Sequence, residues 1–170
     1  MLAIGDVILR AFNFVFLVIA LGLTGSLAAT TITQHNPQIN FAVFAAAFGL
    51  LTSSFYGVFA YFVAAFAWPV ILFVFDFLNF VFTFAAATAI AAGIRAHSCS
   101  NQDYLDDNNI AQGSSGRCRK AQASTAFLYF STFIFIASAI FSAISLSKGG
   151  LFGHSSRPAP RTGVPTMSQV

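Results

Sequence analysis

From Ala11 to Ile94 the chain carries a single formal charge, Asp76. A water-facing surface needs charged residues at roughly a quarter of positions, so this stretch cannot be the outside of a soluble domain. The chain as a whole is 170 residues long, 57% hydrophobic and 8% charged, and its other charges lie near the ends and in one later loop. Charge is missing where hydrocarbon would surround the protein. At ~1.5 Å of rise per residue and ~30 Å of hydrocarbon, this length suits one all-α domain of a few membrane-spanning helices. It is too short for a transporter built from large inverted repeats.

The apolar runs predict four transmembrane helices at about 11–32, 41–63, 69–94 and 123–147, forming one membrane domain over about residues 1–148. A secretory signal peptide competes for the first run, but the run is long and Asp6 interrupts the usual basic start, which favours a retained helix. Pro37 and Asn36 in QHNPQIN predict a turn after it. The block from Phe41 to Ile94 is too long for one span, and Trp68-Pro69 is its best punctuation, because proline suits a first helical turn and tryptophan a headgroup boundary. The join is therefore expected near 64–67, with one proline-kinked arrangement or a re-entrant hairpin as the competing reading. After Lys148-Gly149-Gly150, a stretch rich in Pro, Ser and Gly predicts a flexible tail over 149–170.

Lipid is as apolar as phenylalanine, so helices in a bilayer associate through close backbone approach and a few polar contacts. Helix two carries Ala45, Gly49, Ser53 and Gly57 at four-residue spacing; helix three carries Ala85, Ala89 and Gly93; helix one adds Gly22 and Ser26. These are the expected packing ladders, and the 22 phenylalanines are expected to fill space or face lipid. Asp76 stands out because a carboxylate in hydrocarbon is costly and faces the protein interior or water. Asn79 follows on nearly the same face, and Asn13, Thr52, Ser53, Ser54 and Tyr56 are the expected partners of this polar patch. Arg10 is read as a juxtamembrane flank.

Four spans put both termini on one side. The termini carry Arg10, Lys148, Arg157 and Arg161, the polar loop carries Arg95, Arg117, Arg119 and Lys120, and the tie leaves orientation open. In an exoplasmic loop Cys99 and Cys118 would close a disulfide worth ~3 kcal/mol in loop-closure entropy. In a cytosolic loop Cys99 would instead be an acylation candidate. A metal site from His97, Cys99 and Cys118 lacks a fourth ligand, so no metal or other cofactor is expected. The basic residues are spread along membrane flanks, not gathered with aromatics, which excludes a nucleic-acid module.

The stretches AWPVILFVFDFLNFVFTFAAATAIAAGIRAHSC (Ala67 to Cys99), GRCRKAQASTAFLYFS (Gly116 to Ser131), the ending GVPTMSQV and LRAFNFVFLVIALGL near the start resemble the fungal non-classical export protein 2 family of MARVEL-domain proteins. The resemblance covers nearly the whole chain. It implies a four-helix MARVEL-type bundle in the plasma membrane, with both termini cytosolic and the Cys99–Cys118 segment outside, so that the two cysteines are oxidised together. It also implies association with eisosomes and with sterol- or sphingolipid-rich compartments. Partners on this reading are membrane lipids, eisosome components and a second copy of the chain. The carried-over features are Asp76 and Asn79, the cysteine pair, and the C-terminal segment as a localisation element.

No nucleophile, base and orienting acid assemble at a common depth, and no phosphate-binding glycine loop follows a strand, so an enzyme is not expected. The leading expectation is a membrane organiser. The alternatives are a small channel or transporter using Asp76 and Asn79, and a factor in leaderless protein export.

Overall fold

The computed structural model describes residues 4–32, 36–57, 59, 68–95 and 97–149. The helices are α1 (Ile4–Ala29), α2 (Pro37–Gly49), which continues as a π-helix over Leu50–Tyr56, α3 (Pro69–Ile94), the short α4 (Gln102–Asp107) and α5 (Ser115–Gly149). Four of the helical segments are long and apolar enough to cross a membrane: Gly5–Ala29, Pro37–Tyr56, Val70–Ile94 and Ser115–Ser147.

Four helix boundaries differ from the sequence expectation, each for a local reason. α1 starts at Ile4, not near 11, because Asp6 and Arg10 sit one turn apart and pair within the helix. It ends at Ala29, not near 32, where the Thr30 and Thr31 hydroxyls fold back onto the carbonyls of Ser26 and Leu27. α2 starts at Pro37, inside the expected turn, since proline is pre-set for the first helical position and Asn36 before it is extended (φ −93°, ψ 107°). α5 starts at Ser115, eight residues before Ala123, because Ser114 Oγ accepts from the Arg117 amide and the Ser114 carbonyl from the Cys118 amide. The basic run around Cys118 is thereby helix and not loop. The expected turn at 64–67 and the tail beyond Gly149 lie outside the described residues.

The four long helices form a closed ring in which α1 packs on α2 and α5, and α3 packs on the same two neighbours. Ile4 of α1 and Gly149 of α5 therefore lie at one end of the bundle and the cysteine segment at the other. The buried stripe of α1 is Asp6, Arg10, Asn13, Leu17, Ala20, Thr24 and Leu27; that of α3 is Leu72, Asp76, Asn79, Thr83, Ala86 and Ile90. Alternating steps of four and three residues give a 3.5-residue period, which keeps one narrow seam inward along a whole span. The seam is ionic near Ile4 and mainly apolar from Leu17 and Phe135 towards the cysteines, where Leu27, Ile39, Ile90, Ala121 and Leu128 close the core. The buried Thr24, Ser124 and Thr125 hydroxyls there donate to carbonyls of their own helices. Phenylalanines instead populate the outside, including Phe12, Phe55 and Phe133.

This seam sorts the small-residue ladders. Ala45, Gly49, Ser53 and Gly57 are all buried; a Cβ on Gly49 would lie 3.0 Å from Leu17, and one on Gly57 would lie 3.1 Å from Arg10. The expected α3 ladder is corrected: Ala85 is exposed and Ala89 and Gly93 are half-buried, because the Asp76–Asn79–Thr83 seam turns Ala86 and Ala87 inward instead. Gly93 abuts Ile110 of the loop segment, not a neighbouring span. On α1, Gly22 is exposed, and Ser26 meets Lys120 of α5.

Candidate functional site

All four spans meet at one buried ionic cluster near the chain ends. Asp6, Arg10 and Asp76 are 1%, 4% and 0% exposed, so none of them reaches the surrounding lipid or water directly. Arg10 Nε donates to Asp6 Oδ2 at 2.8 Å and Nη2 donates to Asp76 Oδ2 at 2.8 Å. Arg10 Nη1 reaches Ser53 Oγ of the π-helix at 3.4 Å, and Ser142 Oγ of α5 donates to Asp76 Oδ2 at 3.0 Å. Guanidinium geometry makes this possible, since its donors fan out in a plane and serve three acceptors at once. Asp76 lies seven residues after Pro69, ~10 Å along the helix, so the cluster sits about two turns inside this span.

A second polar layer lies one turn deeper. Asn79 Nδ2 donates to Thr52 Oγ1 at 2.6 Å, linking α3 to the π-helix, and Thr132 Oγ1 of α5 donates to Thr83 Oγ1 at 3.0 Å. The wide π turn brings the successive residues Thr52, Ser53 and Ser54 to the inward side, which a regular α-helix would not do; Ser53 and Ser54 are buried and Thr52 is half-buried. Asn13 is buried here, and neither end of its carboxamide has a partner among the described residues.

The predicted polar patch is thus divided. Asn79 takes Thr52, one of its expected partners, whereas Asp76 pairs with Arg10 and Ser142. The reading of Arg10 as a juxtamembrane flank is overturned: it is buried against two carboxylates. The available signal was arithmetic, because Arg10 is the one cation before Arg95 and sits four residues after Asp6. Nothing in the sequence singled out Ser142 among the serines of α5.

The other end is closed differently. Cys99 and Cys118 form a disulfide, with Cα atoms 5.7 Å apart, packed with Leu105, Ala111 and Tyr104. Both sulfurs being bonded to each other, they leave His97 without the thiolates a metal site would use. Arg117 Nη1 donates to the Leu27 carbonyl at 3.1 Å and to Thr30 Oγ1 at 2.6 Å, and its Nε donates to the Ile110 carbonyl at 3.1 Å. A cation there satisfies the open carbonyls and the negative end of the α1 dipole. Asn108 Nδ2 donates to the Gly93 carbonyl, and the Tyr104 hydroxyl donates to the Ile94 carbonyl, so the loop also caps α3. Burial pushes the Tyr104 hydroxyl above its ordinary pKa, with Arg95 pulling the other way.

The chain matches the MARVEL membrane-associating domain over residues 2–141. It belongs to the MARVEL family. The MARVEL match takes in most of the four-helix ring, including Asp6, Arg10, Ser53 and Asp76, and stops one residue short of Ser142. This MARVEL chain is 53% identical, over the full length of both chains, to Non-classical export protein 2 of Saccharomyces cerevisiae. It is 46% identical, again over both full lengths, to Non-classical export protein 2 homolog 1 of the same yeast. A Schizosaccharomyces pombe homolog of Non-classical export protein 2 is 34% identical over 78% of this chain and 73% of its own. No solved structure matches this MARVEL chain. Family and helices together make it a multi-pass membrane protein with a four-span bundle.

Proposed function

We propose that this MARVEL protein is a non-enzymatic organiser of lipid and protein domains in the plasma membrane, working through its outer surface. The observation that carries the reading is the inverted bundle: charge and carboxamide are spent on internal ties, while Phe12, Phe44, Phe55, Phe77 and Phe133 face outward. In hydrocarbon, such a surface acts by packing against acyl chains and neighbouring helices. Apolar filling by Leu17, Phe135, Leu27 and Ile90 beyond the polar half supports this over a channel through a single chain. The disulfide favours an exoplasmic loop and cytosolic termini. The family resemblance supports placement in eisosome-associated, sterol- or sphingolipid-rich compartments.

Reconstitution in giant vesicles with coexisting lipid phases tests the proposal. Labelled protein is expected to partition unevenly and form lateral clusters; uniform distribution as isolated monomers at all lipid compositions would defeat it. The names of the two Saccharomyces cerevisiae relatives favour a second reading, a factor in leaderless protein export. Photo-cross-linking from the chain termini to an exported cargo is its test, and absence of any cargo adduct while secretion proceeds would remove it.

A further inference from the structure

A cleft of about 190 Å³ opens at the disulfide end, between the start of α2, the end of α3 and the α4 segment. Arg95 and Asp107 line it together with Tyr104, Asn109, Gln38 and Asn36. Both charged residues are exposed, and although they share one cleft they form no ion pair with each other. Arg95 also ends α3 with φ at +46°, a conformation that costs a non-glycine residue on the order of 1–3 kcal/mol. A cation and an anion that line one polar cleft without pairing suit a ligand with both charges.

Size and position narrow the class. Pockets that enclose a whole small molecule run to roughly 300–1,000 Å³, so this cleft suits part of a ligand whose remainder lies elsewhere. Arg95 is the first residue after the span ending at Ile94, the level of lipid phosphates. On the outer side of the same two helices runs an aromatic ladder. Phe41 and Phe44 stand 6.3 and 5.5 Å from Phe82, and Phe48 stands 6.5 Å from Phe75. The ladder starts three residues after Gln38, so a polar recess and an apolar track share one edge of the bundle.

We propose that this cleft binds the headgroup of a zwitterionic phospholipid, with phosphate on Arg95, ammonium on Asp107 and the Tyr104 ring, and an acyl chain along the phenylalanine ladder. Guanidinium–phosphate contacts are charge-assisted, and an aromatic face attracts an ammonium. The Asn109 and Gln38 carboxamides supply donors for the remaining phosphate oxygens. The biological consequence rests on the organiser reading, because a lipid held in this way would be the one the protein sorts.

The test uses the full-length, disulfide-intact protein in nanodiscs of equal parts phosphatidylcholine, phosphatidylethanolamine, phosphatidylglycerol and phosphatidylinositol. After extraction in mild detergent, native mass spectrometry reads the lipids retained. The zwitterionic pair is expected to exceed the anionic pair about tenfold, and R95Q and D107N, both at exposed positions, are each expected to cut that retention by roughly tenfold. Retention unchanged in both variants overturns the site. Preference for anionic lipids that survives D107N overturns the zwitterionic assignment in favour of a plain phosphate or polyol phosphate. Displacement by soluble glycerophosphocholine at matched concentration overturns the lipid assignment in favour of a free phosphodiester. The same variants examined in phase-separated vesicles separate the two readings: clustering that persists while retention is lost removes the site alone, and retention without clustering removes the organiser role alone.

Discussion

Arg10 Nη2 and Asp76 Oδ2 meet at 2.8 Å in the interior, joining the first membrane helix to the third across sixty-six residues of sequence. The same carboxylate oxygen accepts from Ser142, and the same guanidinium holds Asp6, so one arginine organises contacts from every span. A buried ion pair seldom adds net stability over an apolar equivalent, but removing one member leaves the other uncompensated.

That asymmetry orders the variants. R10Q leaves two carboxylates without a cation and is expected to cost about 3–5 kcal/mol, whereas D76N leaves the balanced Asp6–Arg10 pair and is expected to cost about 1 kcal/mol. The double variant R10Q/D76N should recover part of the loss of R10Q. Thermal unfolding in matched micelles measures all three; equal losses for R10Q and D76N would contradict a clamp centred on the arginine.

Glycine substitutions separate packed from lipid-facing positions. G57V drives a side chain into Arg10, which is itself pinned by two carboxylates, and is expected to destabilise by about 2 kcal/mol. G22A meets nothing within 4 Å and is expected to be neutral or to stabilise by a few tenths of a kcal/mol. Unfolding midpoints for the pair provide the comparison, and a larger loss for G22A would overturn the assigned helix faces.

At the far end, C99S/C118S is expected to cost about 3 kcal/mol through loop-closure entropy. Thiol labelling of the native protein should require reductant first. Labelling to the same extent without reductant would show that the bond between Cys99 and Cys118 is not formed.

Arg117 and Tyr104 secure the backbone at that end. R117A opens the carbonyls of Leu27 and Ile110 and is expected to speed amide exchange there without loosening the ionic clamp. Tyr104 gives a pH signature. Its folded pKa lies above the unfolded value of 10.0, so its contribution is complete below pH 10 and fades as pH rises through the folded pKa. Amide exchange around Ile94 should therefore rise at high pH beyond the intrinsic base effect, and Y104F should abolish that extra rise.

Much of the helix layout was legible because apolar length and a Trp-Pro pair are local signals. Pro69 and Ile94 bound α3 in the structure, the residues at which the apolar block breaks and charge returns. The inward faces were less legible. In alanine-rich spans a four-residue ladder arises by chance, and Ala85–Ala89–Gly93 was such a case; the 3.5-residue recurrence of polar residues along Asp76, Asn79 and Thr83 marks the true seam. Arg10 reads as a juxtamembrane flank because it is a charge near a terminus, although its four-residue spacing from Asp6 fits mutual burial. The π turn at Leu50–Tyr56 depends on tertiary packing and left no local trace.

The two closures also set where the bundle is compliant. Ionic bonds hoop one rim and a covalent bond with backbone caps hoops the other, while the waist between them mixes alanines such as Ala20, Ala42, Ala46, Ala86 and Ala87 with Leu17, Ile90, Leu128 and Phe135. Alanine side chains carry few contacts each, so the waist is more compliant where alanines face each other than where Leu17, Leu128 and Phe135 fill it. Lateral pressure from the bilayer is greatest among the acyl chains and bears on that waist. A bulkier residue there, as in A46L, would overfill a fully buried position and force the helices apart at the bundle's middle.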